Sequence, residues 1–452
     1  MNKKKKNTFP GGIHPADGND KQLSKDKAII EYIPDFVEIS MEQAPGARCE
    51  PVIAAGEEVK FGQLIGKPVT FTAANLHSGV DGIVVELKEK DCKDGSKETL
   101  CVIKVRKPEK NLKKPEYTRK LVSIEAYERE KILAEIQDGG LVGMGGAGFP
   151  SYIKYNTDKE IKTLLINGAE CEPYLTCDYR LMMEQGYALV NGVGLLMKAS
   201  GALEAVICVE DNKLDAANRL KEILKDCQEA IRVETVPTKY PQGGERQLMQ
   251  TVLGLEVPKG GLPADISVIV SNVATAKAAA DILFGGQPLV SRVVTVSGEV
   301  ARPGNFLVPL GTRIEELISQ TGGVTLENNR VILGGPMTGT CIAAPYKKGS
   351  KLPGVSKTTS GIVVLKDTDY RETPCIKCGA CRQICPAGIS PFQIDFAMIR
   401  NDYALCEELY ASECIACGSC TFVCPARREL AFRTISARNM VRQNMRERGK
   451  KN

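Results

Sequence analysis

The 452-residue chain has no tryptophan, two histidines, and aromatic residues at only 5%. His14 lies in a polar arm and His77 precedes a glycine turn, so no Ser/His/Asp set for nucleophilic catalysis is visible. Long apolar runs are also missing. The stretches near 188–203 and 266–284 are interrupted by Asn, Gly, Lys or Asp, short of the ~20 apolar residues a membrane span needs. The opening MNKKKK lacks the apolar core of a signal peptide. These absences point to a soluble or peripheral protein on a reducing side. The formal charge of +5 is mild for this length and argues against nucleic acid as a partner.

Cysteine, by contrast, is plentiful. Eight of the 17 form two copies of C-x2-C-x2-C-x3-C-P, at Cys375–Pro386 and Cys414–Pro425, offset by 39 residues. This spacing supplies the thiolates of two [4Fe–4S] clusters. Three close cysteines wrap one face of a cubane, and in this motif class the fourth comes from the other copy. One set is therefore Cys375, Cys378, Cys381 and Cys424; the other is Cys414, Cys417, Cys420 and Cys385. Disulfides would require an oxidising compartment, and zinc motifs do not carry two full four-cysteine copies with a trailing proline. The other nine (Cys49, Cys92, Cys101, Cys171, Cys177, Cys208, Cys227, Cys341, Cys406) have no mutual metal spacing and read as reduced thiols. Cys171 adjoins an acidic loop and reads as structural.

In order, the chain divides into an extended arm (1–27) and a run of short alternating strands (28–107). A Lys/Pro-rich connector leads to alternating helices and strands (116–286), the pattern of an α/β sheet. A small β-grasp-like unit (287–345), a linker (346–372), the cysteine cassette (373–432) and a basic tail (433–452) follow. The strands of 28–107 resemble the barrel-sandwich of biotinyl and lipoyl carrier domains. The carrier lysine is absent from the turn Gly79–Val80–Asp81–Gly82, which favours a docking or structural module. The tail reads as a basic helix, either solvated or in contact with acidic headgroups or a partner.

Four loops carry the remaining signal. They are the glycine loop with Gly143, Gly145, Gly146, Ala147, Gly148 and Phe149; the acidic loop Asn167–Pro173; Tyr240–Glu245; and Ser271–Thr275. Each reads as a junction between strand and helix, where α/β sheets bind ligands, and glycine lets backbone approach a flat or phosphorylated group. A helix precedes the glycine loop, so it is not a Rossmann fingerprint.

The wording GGAGFP with Lys154, N-x-x-E-x-E-P, Y-x-x-G-x-E and N-V-x-T resembles the flavoprotein subunit of respiratory complex I. Met144 and Ala169 depart from that pattern, where the family has an arginine and an acid. That subunit ends in a single-cluster domain. FPGGIHP, YPQGGERQL and SGEVARPGNFLVPLGT, with the two-cluster cassette, instead resemble the RnfC-type subunit of ion-translocating ferredoxin:NAD oxidoreductases over nearly the whole chain.

The resemblance implies a multi-domain α/β and α+β fold: barrel-sandwich, flavoprotein-like α/β domain, β-grasp domain and ferredoxin-type two-cluster domain. It implies FMN and NAD(H) beside the clusters. Phe149 would stack on the nicotinamide cofactor, Lys154 would pair with a phosphate or flavin oxygen, and Asn167 and Glu170 would contact flavin. Glu172, Tyr240, Gly243, Gly244 and Glu245 would border the nucleotide, with Ser271, Asn272 and Thr275 at the FMN phosphate. The implied partners are integral-membrane and iron–sulfur subunits, with ferredoxin reached indirectly, at the cytoplasmic face of a bacterial membrane. Two rival readings stay open, a soluble cobalamin reductase of a bacterial microcompartment and a non-catalytic iron–sulfur relay or docking scaffold.

Overall fold

A computed structural model describes residues 8–15, 19–91, 97–107, 115–368 and 371–449. Cys92, the opening lysines, Lys450 and Lys451 lie outside these. Among the described residues no helix is long and apolar enough to cross a membrane.

Residues 36–105 form two antiparallel sheets, one ordered Phe36–Ser40, Lys97–Val105, Gly82–Asp91, Glu58–Val59 and the other Cys49–Pro51, Leu64–Pro68, Leu76–His77. Val37 and Ile39 are buried along Phe36–Ser40 while their neighbours are half-buried, the period-two pattern of a one-sided strand. They meet Ile65, Leu76, Val84 and Ile103 in the core between the sheets. The turn expected to bear a carrier lysine is packed away, with Gly79 close against the Val290 carbonyl. This geometry suits docking, not a swinging arm.

The central domain is a parallel sheet ordered Ile231–Val236, Glu204–Glu210, Thr163–Gly168, Val268–Asn272. Its strands are near-continuous apolar runs because both faces are covered. Leu164 and Ile166 face the helices Gly186–Ser200 and Val273–Gly285. Leu165 between them faces the helix Glu245–Leu253. From Thr163–Gly168 the chain winds outward one way and returns on the other side as Val268–Asn272. The order therefore reverses between those two strands, where open α/β sheets form a ligand crevice.

The third sheet is mixed, ordered Ile29–Glu31, Gly304–Pro309, Ser291–Gly298, Gly361–Lys366, Asn329–Leu333, Thr340–Ala343. It corrects two expected boundaries. Gly361–Lys366, inside the expected linker 346–372, is an interior strand, parallel to Ser291–Gly298 and antiparallel to Asn329–Leu333. Its apolar GIVVL run buries both faces, which a linker composition upstream concealed. Ile29–Glu31, expected in the barrel-sandwich, pairs instead with Gly304–Pro309. That partner is about 275 residues away, and local pattern carries no information on such pairing.

The cysteine cassette repeats in space as in sequence. Helices Ala380–Gln383 and Ser419–Phe422 correspond, as do the left-handed residues Lys377 and Ala416, Gly379 and Gly418, and Gly388 and Arg427. Helix Pro391–Ile399 matches the start of Leu430–Gly449. The latter is the expected basic helix, and much of its charge is committed within the chain. Arg433, together with Arg428 just before the helix, binds buried Asp395, at 2.9 and 2.7 Å. Arg438 and Arg442 donate to the carbonyls of Cys414 and Ser412, and Arg448 pairs with Glu407.

Candidate functional site

The site is built at the crevice between Thr163–Gly168 and Val268–Asn272. Asn272 ends its strand and caps the next helix, its Oδ1 accepting from Ala274 N at 2.8 Å. Its Nδ2 donates to Asp178 at 2.8 Å. Asn167 donates to the Gly243 carbonyl at 2.9 Å and accepts from Ala169 N at 3.0 Å. These two strand-end asparagines thus join the acidic loop, the Tyr240–Glu245 loop and the helix N-terminus, where backbone amides favour an anion.

A helix precedes the glycine loop, as expected, but a short helix and not a strand follows it. It runs from helix Arg129–Asp138 to the short helix Ser151–Tyr155 and is closed by a bridge between Val142 and Pro150. It reaches the crevice through tertiary contacts. Thr275 Oγ1 accepts from Met144 N at 2.9 Å, and a Cβ on Gly145 would stand 2.9 Å from Asn272. Gly146 has open space before it. Tyr155 donates to Ser271 at 2.7 Å and fixes the strand end.

Several expected contact residues have partners within the chain. The Glu170 carboxylate accepts from Asp178 N at 2.7 Å and Tyr179 N at 3.3 Å, capping the helix Cys177–Glu184. Glu172 accepts from Met337 N at 3.0 Å and Thr338 Oγ1 at 2.5 Å, tying the acidic loop to the third sheet's domain. Burial raises its carboxyl above the usual range. Lys154 pairs with Glu245 at 3.1 Å, both partly exposed. Glu170, Cys177 and Asp178 bring ligand-type atoms together, but the capping bonds account for that grouping. Burial, with the Glu170 charge next, pushes Asp178 up to about 6. Burial also pushes the Cys171 thiol up to about 12, and its sulfur accepts from Gly243 N. Such a thiol stays protonated and serves structure.

Sequence reasoning missed the groups that hold these loops. Lys21, on the arm's helix Asn19–Lys25, donates to the carbonyls of Glu170, Glu172 and Leu175 at 2.9, 2.7 and 2.6 Å. Lys213, paired with Glu210 at 2.8 Å, donates to the Ala169 carbonyl at 2.7 Å. Arg292 donates to the carbonyls of Met144 and Lys357. No local motif marks them, because each binds backbone far away in the chain.

The eight motif cysteines gather in two groups. Cys375, Cys378, Cys381 and Cys424 line one cavity of about 350 Å³ with Phe392 and Leu430. Cys385, Cys414, Cys417 and Cys420 line another of about 360 Å³ with Ile389 and Ile435. Four sulfurs around each apolar hollow form a donor set suited to iron–sulfur ligation. The amides of Lys377 and Ala416 donate to Cys375 and Cys414 sulfurs, both at 3.4 Å.

The second cavity is joined to the central domain. Tyr240 donates to the Cys417 carbonyl at 2.7 Å, Arg246 pairs with Glu413 at 3.2 Å, and Gly418 packs on the Met337 carbonyl. The FPGGIHP arm lies alongside, with Ile13 bridged to Tyr240 and Gly12 N bonded to the Ile384 carbonyl.

Family comparisons match three segments of the chain. Residues 7–107 match the RnfC barrel sandwich hybrid domain, 136–281 the Nuo51 FMN-binding domain and 293–340 the SLBB domain. The RnfC-type subunit of the proton-translocating ferredoxin:NAD(+) oxidoreductase complex of Clostridium ljungdahlii is 37% identical over 416 residues, covering 89% of this chain and 87% of that protein. The chain belongs to this RnfC family. A Na(+)-translocating counterpart from Acetobacterium woodii is 36% identical, covering 89% of this chain and 90% of its own. The corresponding subunit of the ion-translocating oxidoreductase complex of Rhodobacter capsulatus is 37% identical, covering 85% and 74%. Within this family setting, the unit expected as a β-grasp is identified by its match to the SLBB domain.

Proposed function

We propose that this RnfC-family chain exchanges electrons between NAD(H), at an FMN site in the crevice, and two [4Fe–4S] clusters held by the motif cysteines. It would do so at the cytoplasmic face of a bacterial membrane, delivering to or receiving from iron–sulfur and membrane-spanning partners that reach ferredoxin and move the ion. The observation that carries the reading is the continuous contact from the crevice through Tyr240 to Cys417. The relatives are subunits of ferredoxin:NAD(+) oxidoreductase complexes, which favours neither the cobalamin reductase nor the inert scaffold.

The residues present fit an FMN. A Cβ at Gly145 would crowd Asn272, Gly146 opens onto free space, and a Cβ at Gly243 would stand 3.2 Å from the Asn167 amide. The cradle is therefore bare backbone beside a helix N-terminus, as a flat phosphorylated ligand requires. Gly145 and Gly146 would face the ring system, Asn167 would orient it, and Ser271 with the amides after Asn272 would hold the phosphate. Lys154, released from Glu245, would neutralise further negative charge. FMN, when bound, supplies the exchange between a hydride and single electrons.

The contacts of Tyr240, Arg246 and Met337 all fall on the Cys385/Cys414/Cys417/Cys420 group. This supports that group as the neighbour of the crevice. The Cys375 group, which includes the exposed Cys378, would then meet the partner. Anaerobically purified protein should contain FMN and eight iron atoms by the two-cluster motif, and NADH should bleach both flavin and cluster absorbance. Absence of flavin, or NADH without spectral effect on flavin-loaded protein, overturns the reading.

A further inference from the structure

Thr434 carries a hydroxyl that nothing else in the fold engages. The residue is 1% exposed, and its Oγ1 has no hydrogen-bond partner among the described residues. A helical threonine or serine can donate to the carbonyl one turn back. Ser436 does so in the same helix, to Phe432 at 2.9 Å, and Thr434 does not. A buried hydroxyl left in this way is costly unless its surroundings supply an acceptor. Ala431, Thr434 and Ile435 share one face of Leu430–Gly449, at the i, i+3, i+4 spacing, and all three line the Cys385/Cys414/Cys417/Cys420 cavity. Thr421 Oγ1 accepts from Ala431 N at 2.8 Å and fixes that face over the cysteines.

A second hydroxyl lines the same cavity. Ser419 is fully buried, and its Oγ stands 3.4 Å from Cys417 Sγ. In that pair a free thiol donates. Iron ligation needs the deprotonated sulfur, which has no proton to give, so the hydroxyl becomes the donor.

The other copy of the motif has neither group. By the 39-residue offset, Ala380 takes the place of Ser419, and Asp395 that of Thr434. Ala380 has no donor, and the Asp395 carboxylate is held by Arg428 and Arg433. Among the described residues lining the Cys375/Cys378/Cys381/Cys424 cavity, none carries a side-chain hydroxyl. The two cavities share one cysteine pattern and differ in their donors.

We propose that the Thr434 and Ser419 hydroxyls donate to sulfurs of the cluster beside the crevice and raise its reduction potential, a setting the other cluster lacks. The proposal rests on the iron–sulfur reading above. A reduced cluster carries one more negative charge than an oxidised one, and its sulfurs share that charge. Donors to those sulfurs therefore favour the reduced form. Each bond favours holding a single electron on the side of Tyr240 and the crevice.

A redox titration of the anaerobically purified full-length protein, followed by electron paramagnetic resonance, tests this without NADH. The parent should show two one-electron cluster steps. Thr434→Val replaces the hydroxyl by a methyl group of like shape. It should shift one step about tenfold toward the oxidised form, the scale of one net hydrogen bond, or a fall of about 59 mV. The other step should stay where it is. Ser419→Ala should lower the same step, and Thr434→Ser, which keeps the donor, should hold the parent's potential. Iron content equal to the parent's reports an intact cassette. Where Thr434→Val loses iron, Ser419→Ala decides alone. An iron-replete variant with both steps unmoved overturns the proposal, as does an equal fall of both steps. A fall in Thr434→Ser as large as in Thr434→Val assigns the effect to packing and also overturns it. A parent protein that binds no iron overturns the iron–sulfur reading itself.

Discussion

Single side chains in this molecule act mostly as staples between distant backbones. Lys21 gathers three carbonyls of the acidic loop, and Lys357 joins Asn75 to Gly140. Their neighbour His77 shows what such packing does to a titratable group. Burial, with the Lys357 charge second, pushes its imidazole down to about 4, and its Nδ1 is buried without a partner. Between pH 6.5 and 4 the unfolded chain takes up a proton that the folded chain refuses. Stability present above pH 6.5 is therefore lost as pH falls, by about 2 kcal/mol at pH 5. His77→Gln should remove that increment, read as the difference in urea midpoint between pH 7.5 and pH 5. Equal pH sensitivity of parent and variant would show that His77 does not titrate in this way.

At the scale of elements, the crevice depends on how closely two helices cross. Gly186–Ser200 and Val273–Gly285 pack on one face of the central sheet, and the second presents its N-terminus to the site. At Gly192 a Cβ would lie 1.7 Å from the Ala276 carbonyl oxygen, so backbone touches backbone. Gly192→Ala should force the helices apart and destabilise by about 3 kcal/mol or more. Expression should fall, and any folded fraction should melt lower and hold less flavin. A variant with the parent's melting temperature would mean the crossing can open freely. The strands and helices of this domain were legible in sequence because each has its own period or apolar run. The strand Gly361–Lys366 was masked by the Gly/Lys/Ser/Pro composition before it, and the pairing of Ile29–Glu31 had no local signal.

Across the whole molecule, three domains meet at Arg292. It extends from the third sheet, donates to Met144 in the glycine loop, and donates to the carbonyl of Lys357, whose ammonium reaches the barrel-sandwich. Arg292→Met should orphan two buried carbonyls at about 1–3 kcal/mol each. Flavin retention should drop before the cysteine cassette unfolds, because the glycine loop loses its support while the cassette's Asp395 network stays intact. Flavin release and iron release followed during one thermal ramp would separate the two. Simultaneous release at the parent's temperature would exclude this role for Arg292.

The sequence by itself carried the chemical signal: two four-cysteine copies, four candidate ligand loops, and an expected order of domains. Those are short-range patterns, and spacing of a few residues encodes them. The tertiary structure decided which residues are free to act. Glu170 and Glu172 read as ligand contacts in isolation, yet fold-dependent amides claim their carboxylates. It also decided that the Cys385/Cys414/Cys417/Cys420 group lies against Tyr240, and that the ring of Phe71, from the barrel-sandwich, meets that of Phe149 edge-to-face. Such neighbours are brought together only when separate domains dock, so no window of sequence contains them.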